Sequence, residues 1–284
     1  MSPIIKVRFI KSRGYIIMQD SAIEHIKQEL SNINQSTKKR VLEKFSLAAL
    51  GSIPWVGGFI SAAISLKTEE GTLKTDSLQT QWLEEHQKKI DQLTQTLASI
   101  ALRFEQLGED IFERIESESY LILVKKAFQS WDNATTDEKR QYVANLITNA
   151  SSTSLCSDDI IRLFIDWLNL YHEIHFSVIR EIYSNPGSTR YDIWIAIYGE
   201  FPREDSAEAD LFKLLIRDLS TGGVIRQARD TNYDGQFLKK ARARSSHASN
   251  TLESAFEDSK PYVLTELGSQ FVHYTLNDVV TRVN

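Results

Sequence analysis

The sequence predicts a mainly α chain in two parts, an N-terminal helical bundle and a smaller C-terminal α+β module. Three observations carry this expectation. Glycine and proline are scarce, 12 and 5 of 284 residues, while Leu and Ile recur at steps of three and four over long stretches. One segment, Phe45–Leu66, reads FSLAALGSIPWVGGFISAAISL and runs for 22 residues without a charge, in a chain that is 25% charged. From about Tyr171 onward, long helical periodicity gives way to shorter helices and alternating, strand-like runs.

Composition bounds the function. At 284 residues the chain is long enough for two cores, and 42% hydrophobic residues fit a folded protein. A net charge of −5 argues against a surface that embraces nucleic acid as a whole, though a local patch is compatible with it. One cysteine, Cys156, forms no internal disulfide and fits a reducing, cytoplasmic setting, including the inner face of a membrane. Residues 1–17 lack the uninterrupted apolar run of a signal peptide, so secretion by that route is not predicted. Met18 is a second candidate start, because Ser21 and Glu24 after it have the spacing of a capping box. Residues 1–20 are therefore read as an extension.

The first part covers 21–156. Ile23, Ile26, Leu30 and Ile33 predict an amphipathic helix leading into the apolar segment. Within that segment, Pro54 removes a backbone donor and Gly51, Gly57 and Gly58 favour bending, so an apolar helical hairpin over 45–66 is expected. A helix is expected over 77–128, with Ile90, Leu93, Leu97, Ile100, Phe104, Leu107 and Ile111 forming a heptad seam that Leu83 extends upstream. The seam fits either neighbouring helices of the same bundle or a coiled coil between chains. Thr135 and Glu138 have capping-box spacing before the next helix, and Ser157 with Asp158 and Asp159 opens a connecting helix over 157–170.

The module over 171–284 reads as three helices, a strand, a long polar loop, a strand and a helix. The residues LLIRDLSTGGVIRQAR and YVLTELGSQFV, with Thr265 as a cap, resemble the third helix, wing strands and final helix of the winged helix-turn-helix family. The resemblance implies DNA binding, yet the helix that would enter the major groove carries Asp205, Glu208, Asp210 and Asp218 against Lys213 and Arg217. Positive charge lies instead on the wing, at Arg226, Arg229, Lys239, Lys240, Arg242 and Arg244, which are the candidate nucleic-acid or partner-binding residues.

No catalytic residues, metal site or cofactor are predicted. His172 and His175 have a permitted metal-ligand spacing but no third ligand nearby, and Cys156 has no neighbouring histidine. No phosphate-loop, dinucleotide-binding or nucleophile-elbow motif occurs. The chain is accordingly read as no enzyme, with no small-molecule substrate inferred.

At about 1.5 Å per residue, 22 helical residues reach about 33 Å, the thickness of a hydrocarbon core. Pro54 divides the segment into arms too short to cross alone. Residues 1–44 carry nine basic and four acidic groups and residues 67–120 six and twelve, which would place the N-terminus on the cytoplasmic side of a membrane. The candidate membrane-contacting residues are Ile53, Pro54, Trp55, Val56, Gly57, Gly58, Phe59 and Ile60. The apolar, glycine-containing hairpin beside a heptad-patterned helix resembles helical pore-forming proteins, which implies a soluble form that hides the hairpin and an oligomer that inserts it. The leading expectation is a non-enzymatic, membrane-associating, toxin-like bacterial effector whose C-terminal module senses or recruits a protein partner. Two alternatives stay open: a DNA-binding regulator with a helical dimerisation half, and a soluble protein-interaction scaffold.

Overall fold

A computed structural model describes residues 36–59, 77–229, 231–238 and 254–276. The chain is mainly helical. Contacts between Cα atoms divide it into two compact units, with the boundary between Asn169 and Leu170.

The first unit begins with α1 (Ser36–Gly51), whose buried face carries Val41, Leu42, Phe45, Ala48 and Ala49. The helix stops at a tight turn in which the Ser52 hydroxyl donates to the Ala49 carbonyl at 2.7 Å. Helical backbone resumes over 54–59. Pro54 stands at its start, where a missing N–H costs nothing because the first turn has no intrahelical acceptor for it. The rest of the expected hairpin, from Ile60, lies outside the described residues.

α2 (Ser77–Leu107) carries the heptad seam, and Ile90, Leu93, Leu97, Ile100 and Phe104 are all buried within this one chain. The expected continuous helix over 77–128 is not what forms. Gly108 adopts φ 83°, a left-handed conformation that ends α2, and a single 3-10 turn at Glu109–Ile111 leads into the short α3 (Phe112–Glu116). Ser117 is extended and caps α4 (Glu118–Asn133) by accepting from the Tyr120 N–H. A heptad pattern reports which face is apolar, and it passes through such a break without change. α5 (Asp137–Ser152) is capped by Thr136, whose hydroxyl accepts from the Lys139 N–H, and not by the expected Thr135. α6 is Asp158–Leu170. α1 packs on α4 and α3, and α5 packs on α2 and α4.

Where these helices meet, Phe45 packs edge-on against Phe104 at 5.2 Å and Phe128 at 6.0 Å between ring centroids. Polar cross-links surround this centre. Arg40 bonds Glu116 through two nitrogens at 2.9 and 3.0 Å, and Lys44 reaches the same carboxylate at 3.0 Å. Arg103 donates to Asn145 at 2.6 Å, tying α2 to α5. The Tyr120 hydroxyl donates to the Ile147 carbonyl at 2.8 Å, tying α4 to α5.

The second unit comprises α7 (Glu173–Ser184), α8 (Arg190–Tyr198), α9 (Ala207–Thr221), β1 (Ile225–Gln227), β2 (Tyr262–Leu264) and α10 (Glu266–Thr275). β1 and β2 pair antiparallel, with Ile225 opposite Leu264 and Gln227 opposite Tyr262. On the other side of β2, the Gly187 N–H donates to the Tyr262 carbonyl and the Tyr262 N–H to the Ser188 carbonyl, both at 2.9 Å. α7 packs on α8, α9, α10 and β2, with Phe176 stacked on Phe271 at 6.3 Å.

Thr265 caps α10 as the sequence predicts, and its hydroxyl also donates to the Gly223 carbonyl at 2.6 Å. Gly268 follows in the first turn, so close to β1 that a Cβ there would lie 2.1 Å from the Val224 carbonyl oxygen. Gly268→Ala is therefore expected to destabilise the second unit by about 1–3 kcal/mol, because backbone has to move. Gly51→Ala, at the end of α1 with nothing within 4 Å of the added carbon, should not destabilise and should raise stability by up to about 1 kcal/mol in urea unfolding.

Candidate functional site

The residues singled out by the sequence fall into two separate groups. In the first unit, the apolar segment presents two faces over 53–59. Ile53, Val56 and Phe59 are buried against protein, whereas Pro54, Gly57 and Gly58 are exposed and Trp55 is half-buried. Contact of Ile53, Val56 or Phe59 with lipid thus requires this segment to leave its bundle. No helix among the described residues is long and apolar enough to cross a membrane.

Trp55 is the polar point in this contact. Its indole N–H donates to the Asp132 carboxylate at 2.8 Å. Lys89 closes on the same carboxylate at 2.5 Å, donates to the Asp132 carbonyl at 3.0 Å, and stands 5.4 Å from the Trp55 ring centroid. His86 meets the Trp55 ring edge-on at 4.9 Å. Asp132 and Lys89 are both mostly shielded from water, which strengthens a charged hydrogen bond and makes loss of one partner costly. Sequence reasoning found Trp55 but missed Asp132, Lys89 and His86. Nothing local marks them, since each is an ordinary polar residue on a long helix.

The charges flanking the segment are also engaged. Hydrogen bonds from Arg40 and Lys44 hold the Glu116 carboxyl below the usual range. The Arg114 guanidinium does the same for Asp158, joining α3 to α6.

In the second unit, Arg226 and Arg229 lie 4.9 and 6.0 Å from the centroid of the Phe237 ring. Phe237 is brought there by a small hairpin in which Thr231 bridges Phe237 and the Asn232 side chain accepts from the Asp234 and Gln236 N–H groups at 3.1 and 2.8 Å. Lys239, Lys240, Arg242 and Arg244 lie outside the described residues. His175 turns back on its own helix, its Nδ1 accepting from the His172 N–H at 3.1 Å. Cys156 is buried and in no disulfide. No group of three or more His, Cys, Asp or Glu placed to hold a metal occurs among the described residues.

In comparison with known proteins, no family model, no curated protein and no solved structure matches the chain.

Two outcomes test this geometry. Trp55→Phe keeps the ring and removes the N–H, and should cost about 1 kcal/mol; Asp132→Ala, which strips both Trp55 and Lys89 of a shielded acceptor, should cost about 1–3 kcal/mol, each read by urea unfolding. For Asp158, whose folded pKa is lowered, the stabilisation is present above the ordinary carboxylate range and lost as pH falls through the lowered value. Asp158→Asn should therefore be less stable than the parent by about 0.5–1 kcal/mol at pH 7, and the gap should close on acidification below about pH 4.

Proposed function

We propose that this protein is a non-enzymatic, membrane-associating helical effector of bacterial type. Its first unit keeps the apolar segment covered until a trigger releases it at the inner face of a membrane, and its second unit recruits a protein partner. The observation that carries the proposal is the grip on Trp55. Beyond the turn at Ser52, Ile53, Val56 and Phe59 are buried on one face, and Trp55 is gripped by an indole hydrogen bond to Asp132, with Lys89 paired to the same carboxylate. Releasing the segment breaks these polar contacts. Lipid can then cover the freed Ile53, Val56 and Phe59 as well as protein does, so the balance between the two states rests on the polar contacts.

The second unit is a winged-helix-like module on this reading. Its element order, and the pairing of 187–188 and β1 on either side of β2, support that description. Its α9 supports a protein partner over DNA, because Glu208, Asp210, Leu211 and Leu214 are exposed there, and neither acids nor leucines suit a phosphate-lined groove.

Vesicles of anionic phospholipid test the proposal. Asp132→Ala should raise co-sedimentation and dye leakage about tenfold, the shift that about 1.4 kcal/mol produces. The blue shift of emission on binding should shrink in Trp55→Phe. A parent protein and an Asp132→Ala variant that both stay in the supernatant and leak no dye would refute the reading.

A further inference from the structure

The second unit carries an apolar surface that its own core does not use. On α8, Tyr191, Ile195 and Tyr198 recur at i, i+4 and i+7, so they share one face over about 10 Å of helix, and all three are exposed. Phe201, just beyond the helix, is exposed too, with its ring 4.8 Å from that of Tyr191. Leu211 and Leu214 make a second exposed pair on α9 at i, i+3. These residues are seated on rigid supports: Tyr198 stacks on the buried Trp194 at 4.1 Å, and Trp194 meets Phe212 of α9 at 5.2 Å.

Charge identifies the occupant. Between Arg190 and Asp218 the chain carries seven acidic and four basic residues. The bases are engaged locally: Arg203 bonds Asp205 through two nitrogens at 2.8 Å, Lys213 lies 3.7 Å from Asp210, Arg217 lies 3.8 Å from Asp218, and Arg190 donates to the Tyr262 hydroxyl at 3.1 Å. Glu200 and Glu208 are exposed carboxylates with no basic partner among the described ion pairs. A second copy docking by this same face would bring like charges together, and nucleic acid or an anionic lipid surface would be repelled.

We infer that the exposed stripe of α8, with Phe201 beside it, is the docking surface for a basic amphipathic helix of a partner protein. The apolar stripe of that helix lies across Tyr191, Ile195 and Tyr198, and its Lys or Arg residues face Glu200 and Glu208. The inference rests on the partner-recruiting part of the proposed function and is independent of the membrane part.

The test uses the full chain and a fluorescein-labelled synthetic helix of Leu and Lys at amphipathic spacing, with a matched helix carrying Glu for Lys, read by anisotropy. The Lys helix should bind in the micromolar range and weaken with salt, and the Glu helix should not bind. Tyr191→Ser with Ile195→Ser should weaken binding at least about tenfold. Glu200→Lys, on an exposed side chain outside the helices, should weaken it with unchanged thermal unfolding, which keeps the inference falsifiable if the Ser variant folds poorly. Equal binding of both helices, or variants that bind like the parent, would overturn it. Tighter binding of the Glu helix would overturn the basic chemistry while leaving partner recruitment standing. Concentration-dependent dimerisation that the Lys helix competes away would assign the face to self-association.

Discussion

One face of α4 holds the apolar segment at its start and at its middle. Phe128 packs edge-on against Phe45 of α1, and one helical turn later Asp132 accepts the indole N–H of Trp55. The two contacts differ in kind. The first is aromatic burial, non-directional and worth about 1.5–3 kcal/mol for each ring removed from water. The second is a directional, charge-assisted hydrogen bond whose value depends on the shielding that Lys89 and His86 provide. The rest of the first unit follows from satisfying both: α2 must present Phe104 to Phe45 while presenting Lys89 to Asp132, which its length allows and a shorter helix would not.

The polar cross-links are arranged around the same centre. Arg40 and Lys44 lie one turn apart on α1 and converge on Glu116, so the helix that leads into the apolar segment is fixed at its basic end by α3 and at its apolar end by α4. The basic flank that orients the segment in the sequence reading is, at these two positions, engaged within the chain. Membrane association by the proposed route therefore exchanges intramolecular acids for lipid headgroups.

The second unit repeats the pattern of an apolar centre held by a few well-aimed polar groups. Thr265 caps α10 and reaches the turn after α9, and Gly268 lets that helix approach the backbone of Val224. Glu204 accepts from the Ser254 hydroxyl and the Ala255 N–H, which hold its carboxyl below the usual range and bring Phe256 against Trp194, Phe201 and Phe212. This anchoring gives the exposed aromatic face a rigid base.

The sequence alone determined the helical character, the apolar face of α2, the interruption at Pro54 and the cap at Thr265. Each is a local matter: a 3.6-residue period, a missing N–H, a hydroxyl placed before a helix. Only the tertiary structure decided that Gly108 ends α2, that Thr136 and not Thr135 caps α5, and that Asp132 and Lys89 close on Trp55. Gly108 was visible but ambiguous, since a heptad pattern is indifferent to a break that keeps its face. Adjacent threonines offer the same hydroxyl, and the backbone direction chooses between them. The Asp132 contact was not legible because its partners lie 77 residues apart, and no residue type announces a neighbour that only the packing of three helices brings within 3 Å.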